Sequence, residues 1–345
     1  MSKVRMADIA QRVGVSTVTV HNALSGQKGV SDEVRNRILQ AADEMGYRQR
    51  PAVTVREKGR GLKNIGVIIS EKYLADYTTF YWKMYQEMAL IATDKNCAVV
   101  VEILKHYNED NLVVPRIVEE HTVEGVIVLG EISREYIRVL KRQTDMPVIF
   151  LDFYDKELAN DAVIADNFYG MYLMTEYLFA RGFRRMAYVG SIHETSSIMD
   201  RYCGFYKALL EHGVQLRPEW LIEDRNRIGN IEIVLPECLP EAFVCNCDLT
   251  AGLLMMKLEE RGIRVPEDIS VVGFDNYLYP GFPDKKITSY EVNTGAMAKV
   301  ALDKVLKQMK NTGRGRGLDV VSGHIVEKQS VRMQGISGSV RHAGE

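Results

Sequence analysis

From residue 65 onward, short continuous apolar runs alternate with segments of helical period, and this alternation constrains the fold more than any other feature. The runs lie at 65–69, 98–104, 125–129, 147–151, 162–165, 186–189, 243–245, 269–274 and 287–292, with helical patterns at 81–95, 168–182, 200–213 and 249–262 between them. Strands without apolar–polar alternation are buried on both faces, as in parallel sheets covered by helices. Nine or so such strands exceed one small domain, so two doubly wound subdomains are expected.

Polar residues follow the carboxyl ends of these runs: Ser70, Glu131, Asp152, Asp166, Ser191, Asp248 and Asp275. Ligands of open α/β sheets bind at that edge. Two facing edges would enclose a cleft rich in carboxylates, which accept hydrogen bonds from hydroxyl groups. Taken singly, each acidic residue also reads as a turn former or helix cap.

The amino-terminal segment follows a different pattern. Residues 6–24 read M-A-D-I-A-Q-R-V-G-V-S-T-V-T-V-H-N-A-L. Ile9, Ala10 and Val13 share one helical face, Gly14 permits a turn, and Ser16 stands where a second helix needs its cap. Val20 and Leu24 face back, leaving Thr17, Val18, His21 and Asn22 outward. Small and polar outward residues at the start of a second helix suit the DNA major groove. A third helix is expected after Ser31, with Val34, Ile38, Leu39, Ala42 and Met45 as its apolar stripe and Gly46 ending it.

Charge supports this division. Residues 1–61 hold 11 Lys/Arg against 6 Asp/Glu, whereas the remainder holds 33 against 40. A small basic end on an acidic body is the electrostatic footprint of a tethered nucleic-acid-binding module. No run approaches the 18 apolar residues of a membrane span, and the chain starts without the apolar core of a signal peptide. Cysteines 97, 203, 238, 245 and 247 lack metal-site spacing and are expected to be buried reduced thiols of a cytoplasmic protein.

The chain resembles the LacI/GalR family of bacterial transcription regulators over nearly its whole length. The motifs are M-A-D-I-A-Q-R-V-G-V-S-T-V-T-V, G-V-S (29–31), G-Y-R (46–48), D-N-F-Y-G (166–170), D-R-Y-C-G-F (200–205) and V-P-E-D-I-S-V-V-G-F-D-N (265–276). The resemblance implies a helix–turn–helix headpiece (1–48), a hinge or linker (49–64) and a periplasmic-binding-protein-like α/β core. The core would comprise two doubly wound parallel-sheet subdomains, 65–163 with 291–319 and 164–290 with 320–332, followed by a flexible tail, 333–345.

Roles transfer by position. In the headpiece, Thr17, Val18 and Asn22 fall where the family reads bases, and His21 and Ser25 where it contacts the DNA backbone; Ser16, the cap of the second helix, and Arg56 complete the expected DNA-binding set. The family commonly has Arg at the position of Asn22, and Asn suits adenine rather than guanine. Family hinges form a short helix that wedges Leu into the minor groove. Here Arg56 stands about there, in a β-branched run that forms helix poorly, so a looser tether and an arginine in a narrow groove both stay open.

In the cleft, Arg201 matches a sugar-gripping arginine, Asp275 a ligand carboxylate, and Phe80 lies near a ring-stacking position, with Tyr81 and Trp82 beside it. Asp152 and Asp248 complete the expected effector set, and the family's Asn-Asp pair becomes Cys247-Asp248.

The resemblance implies a homodimeric repressor on a palindromic operator, controlled by a small sugar-like effector in the cleft. It implies a location in the cytoplasm on the nucleoid, with no cofactor, metal or membrane partner. An enzyme on the same scaffold lacks support, because no G-x-S-x-G elbow, phosphate loop or G-x-G-x-x-G follows a strand. A diffusing sugar receptor would leave the basic headpiece unexplained.

Overall fold

The computed structural model describes residues 6–24, 30–45, 62–74, 80–158, 161–226, 229–279, 287–310 and 317–332. Two compact units divide between Gly61 and Leu62. Of the sequence expectations, Ser25, Gly46, most of the hinge with Arg56, and the tail 333–345 lie outside the described residues, as does the side chain of His21.

The smaller unit contains α1 (Met6–Val13), α2 (Thr17–Leu24) and α3 (Asp32–Glu44). Gly14 turns the chain with φ +75°, a conformation that a Cβ would strain. Ser16 Oγ accepts from Thr19 N at 3.0 Å, capping α2. Ile9, Val20 and Ile38 are fully buried at the centre of the three helices, with Ala10, Ala23, Ala41 and Ala42 around them. Leu39, expected in the stripe of α3, is exposed instead. It lies about 100° around the helix from Ile38, and Ala41 takes the inward position.

The larger unit opens with β1 (Lys63–Ser70), α4 (Phe80–Asp94), β2 (Cys97–Leu104), α5 (His106–Asp110), α6 (Arg116–Glu119), β3 (Gly125–Leu129), α7 (Arg134–Arg142), β4 (Val148–Leu151) and β5 (Ala162–Ala165). It continues with α8 (Asn167–Ala180), β6 (Met186–Val189), α9 (Ser196–Glu211), β7 (Leu221–Ile222), β8 (Ala242–Cys245), α10 (Asp248–Glu260) and β9 (Ser270–Asp275). The last elements are β10 (Thr288–Glu291), α11 (Thr294–Met309), β11 (Leu318–Val321) and β12 (His324–Val326).

Two six-stranded sheets result, ordered β11-β5-β4-β3-β1-β2 and β12-β10-β9-β8-β6-β7. The first is parallel throughout. The second is parallel except that β12 runs antiparallel to β10, a departure from the expected all-parallel subdomain. Strands β3, β4, β5, β6 and β8 are buried almost end to end because helices cover both faces. Met84, Met88, Ala298 and Leu302 of α4 and α11 cover one face of the first sheet, and Ile117, Tyr136 and Leu140 the other. On the second sheet, α8 and α9 lie against one face and Leu254, Met255 and Leu258 of α10 against the other.

The chain passes between the sheets three times: at Asp166, after Glu291, and at residues 322–323. The expected boundaries at 163/164, 290/291 and 319/320 fall inside β5, β10 and β11. Register explains the difference, since Leu318 to Val321 pair one by one with Ala162 to Ala165 and the whole strand stays in the first sheet. No helix among the described residues is long and apolar enough to cross a membrane. Of the cysteines, Cys97 and Cys245 are buried, but Cys203 on the outer side of α9 and Cys238 in the loop before β8 are exposed. The expectation of buried thiols is corrected for those two.

Candidate functional site

Packing of α8 on α9 builds the floor of the candidate site. Asp166 caps α8 by accepting from Tyr169 N, and Thr195 caps α9 by accepting from Ile198 N. Ser197, Ile198, Arg201, Gly204, Phe205 and Ala208 form the inward face of α9. That face carries Arg201, 5% exposed, into the space between the two sheets. Its Nε donates to Asn167 Oδ1 and its Nη1 to the Asn246 carbonyl, both at 2.8 Å. Its guanidinium carbon lies 4.0 Å from the centre of the Phe274 ring. Nη2 pairs with Asp275 Oδ1 at 3.3 Å.

Asp152 and Asp275 occupy corresponding positions on opposite sheets. Asp152 directly follows β4 and Asp275 ends β9, both with positive φ, +69° and +100°. Asp tolerates such angles better than most residues, and the turn holds its carboxylate at the strand end. Asp152 Oδ2 accepts from the Tyr81 hydroxyl at 2.9 Å. Among the described residues, Oδ1 of Asp152 is buried without a hydrogen-bond partner, and Oδ1 of Asp275, also buried, has only the long ion pair with Arg201. Burial pushes Asp275 up to about 7, against the pull of Arg201 and with a further push from Asp152. Burial also raises Asp152, with Arg201 and Tyr81 opposing. A buried acceptor without a donor is costly, and a ligand offering hydroxyl or N–H groups would satisfy Asp152 and add to the single long contact of Asp275.

The cleft around these groups has a volume of about 230 Å³. Aromatic rings form one wall, where Tyr73 and Tyr81 lie 4.6 Å apart and Phe80 stands edge-on to Tyr81. Burial raises both tyrosine hydroxyls well above their ordinary value, so they remain donors. Trp82 stacks on Tyr85 and does not line the cleft. Two contacts outside the lining join the two subdomains: Tyr154, past β4, reaches Asp200 of α9, and Glu131, past β3, reaches Ser196 of α9.

The structure thus brings together Phe80, Asp152, Arg201 and Asp275 among the sequence-predicted effector residues. Asp248 is not in the lining. Its Oδ1 accepts from Ser289 Oγ and its Oδ2 from Tyr277 N, both at 2.8 Å, so it ties the start of α10 to β10 and the turn after β9. The expected effector role of Asp248 is corrected to this internal one. The neighbouring Cys247 does line the cleft, with its thiol pushed up to about 11 mainly by burial.

Sequence reasoning missed Asp224, Arg225 and Asn246. Asp224 is fully buried and accepts from Ser191 N, Asn246 Nδ2 and Thr250 Oγ1 at 2.8, 2.6 and 2.7 Å. Burial pulls this carboxyl upward, yet Arg225 and these donors hold it below its ordinary value. The only signal was the pair of opposite charges after a two-residue strand too short to show a period.

In the smaller unit, Thr17 and Val18 are exposed at the start of α2, with Val18 65% exposed, and half-buried Asn22 follows one turn later. Ser16 is exposed and caps α2.

Residues 5–49 match the bacterial regulatory proteins of the lacI family, and residues 175–331 match the periplasmic binding protein-like domain. The HTH-type transcriptional repressor PurR of Pasteurella multocida (strain Pm70) is 26% identical over 340 residues, covering 94% of this chain and 98% of that protein. The PurR repressor of Aliivibrio salmonicida (strain LFI1238) is 23% identical over 338 residues, with the same coverage. A complex of the transcriptional regulator CelR with cellobiose has a TM-score of 0.66 at 19% identity, covering 95% of this chain and 99% of that one. The lac repressor dimer bound to operator and the anti-inducer ONPF has a TM-score of 0.63 at 21% identity, with the same coverage. At these identities the solved structures establish the fold.

Proposed function

The chain belongs to the lacI family of bacterial regulatory proteins and is a DNA-binding transcriptional repressor rather than an enzyme, and from that premise we propose how it is controlled. It binds a palindromic operator in the cytoplasm as a homodimer, with two recognition helices about 34 Å apart along the DNA. Thr17, Val18 and Asn22 of α2 read base edges, while Ser16, His21 and Ser25 meet the backbone. Arg56 occupies the hinge position nearest the operator centre. A small hydroxylated effector, a sugar or sugar derivative, binds between the two sheets and changes their relative angle.

One observation carries the effector reading: the buried carboxylates of Asp152, whose Oδ1 has no partner among the described residues, and Asp275, whose Oδ1 has only its 3.3 Å ion pair with Arg201, flank Arg201 in one cleft. Arg201 is held from three sides, so its position is set before any ligand arrives. The aromatic wall favours a second reading, a flat heterocycle with N–H donors stacked on Tyr73 or Tyr81.

The test is a thermal-shift screen of the full chain against neutral sugars, sugar acids, sugar phosphates and nucleobases, followed by operator binding with and without each hit. A true effector raises the melting temperature and shifts operator affinity by a coupling of about 1–3 kcal/mol. A hit that survives both Arg201→Ala and Asp275→Ala undiminished binds elsewhere and overturns the assignment. Removing residues 1–61 should abolish operator binding and leave effector binding intact.

A further inference from the structure

The cleft holds a second arginine that the packing of the two sheets does not use. Arg225 follows β7 and lines the same cleft as Asp152, Arg201 and Asp275. Its backbone is fixed, because its N–H donates to Ser191 Oγ at 3.1 Å and the residue bridges to Ile231. Its side chain is fixed at one nitrogen, since Nη1 donates to both oxygens of Asp224 at 3.0 and 3.2 Å. Among the described residues, Nε and Nη2 have no hydrogen-bond partner, and the side chain is 21% exposed. The guanidinium is therefore anchored on a buried carboxylate with donors to spare.

Charge in the cleft points the same way. Lys72, Arg201 and Arg225 line it against Asp152 and Asp275, and burial disfavours the charged forms of both carboxyls. Asp224 neutralises Arg225 in part, but three other donors share that carboxylate. The field of exposed Glu194 also reaches Arg225. A neutral polyol needs no second half-buried guanidinium, whereas a phosphate or carboxylate matches its planar fork. Cys247 lies within electrostatic reach of both Asp275 and Arg225, so the acidic and basic parts of the lining belong to one small space. Its volume of about 230 Å³ is below the roughly 300–1,000 Å³ usual for ligand pockets, which suits one ring with one substituent.

Resting on the reading that this cleft holds the effector, we propose that the effector is an acid: a small hydroxylated molecule whose single phosphate or carboxylate is held by Arg225 while Asp152 and Asp275 accept from its hydroxyls. Phosphate and carboxylate share the chemistry the fork recognises, and paired probes separate them.

The experiment is calorimetric titration of the full chain with glucose, galactose, glucuronate, galacturonate, gluconate, glucose 6-phosphate, hypoxanthine and inorganic phosphate. It is repeated on Arg225→Gln, Arg225→Lys and Arg201→Ala. At least one acid should bind tenfold or more tightly than its neutral parent, and Arg225→Gln should remove that preference while Arg225→Lys keeps part of it. Should Arg225→Gln leave Asp224 unpaired and fail to fold, the double variant Asp224→Asn/Arg225→Gln carries the same comparison. A neutral parent that binds as tightly as its acid, a preference that survives Arg225→Gln, or no binding by any acid overturns the proposal. If a neutral sugar or hypoxanthine binds and Arg201→Ala abolishes it, the cleft reading stands and only the acid is refuted. If nothing in the set binds, both fall.

Discussion

A Cβ on Gly204 would stand 2.0 Å from the backbone oxygen of Phe168. Helices α8 and α9 therefore approach so closely that only glycine fits at their crossing. That approach also lets Arg201, one turn before Gly204, reach Asn167, one residue before Phe168, at 2.8 Å. Packing and site geometry are thus one feature. Gly204→Ala must push a helix backbone aside, which places it at the upper end of overpacking, about 3 kcal/mol. Urea unfolding should record that loss. Effector binding should weaken in the folded fraction as well, because Arg201 moves with its helix. A variant as stable as the parent would mean that the helices separate without cost.

Glu131 Oε2 accepts from both the N–H and the hydroxyl of Ser196 at 2.9 Å, joining the subdomain of the first sheet to α9 of the second. The contact is half-buried, so solvent weakens it. Glu131→Ala should shift the closed-to-open ratio by about 1–2 kcal/mol, roughly 5–30-fold. Small-angle scattering of the ligand-free protein should then give a larger radius of gyration, whereas Glu131→Gln, which keeps an acceptor, should change little. Equal radii for Glu131→Ala and the parent would show that this contact does not hold the cleft closed.

Asp275 makes stability depend on pH. Burial moves its folded pKa from 3.8 up to about 7. The folded state therefore holds a proton that the unfolded chain releases. Its stabilising contribution is full below about pH 4 and is lost as pH rises through about 7. Urea midpoints should fall between pH 5 and pH 8, and Asp275→Asn should flatten that slope. A residual slope is expected from Asp152, which is shifted in the same direction. A ligand that donates a hydroxyl hydrogen to ionised Asp275 should bind more tightly across the same interval. Parallel slopes in parent and Asp275→Asn would remove Asp275 as the source.

The strands that carry the site were legible because they are buried on both faces and read as unbroken apolar runs, as 125–129 and 243–245 do. Helix α11 was not, although Asn293 caps it by accepting from Ala296 N, because Lys and Asp interrupt its apolar positions. Strand β11 is an exposed edge whose apolar signal is weak. Arg201 and Asp275 were legible through the motifs around them. Arg225 and Asn246 were not, since their significance lies in Asp224, a partner that only folding brings to them. Asp248 misled for the same reason, as its position at a strand end carries no information about which way the carboxylate turns.

The headpiece predicts a choice of DNA. Val18 is exposed at the amino end of α2, and Asn22 follows four residues later on the same face. An Asn amide can bond an adenine N6 and N7 together, and an apolar side chain can touch a thymine methyl. The family's usual arginine at this position instead suits guanine O6 and N7. Sites selected from random DNA by the full chain should therefore form a palindrome with adenine opposite Asn22, and Asn22→Arg should move the preference to guanine. Each good bidentate contact discriminates by about 1–3 kcal/mol, so the change should be plain in competition binding. Phosphate contacts carry no such information, and both proteins should lose affinity with salt at a similar slope. Recovery of a guanine-led half-site by the parent chain would mean that Asn22 does not read that base.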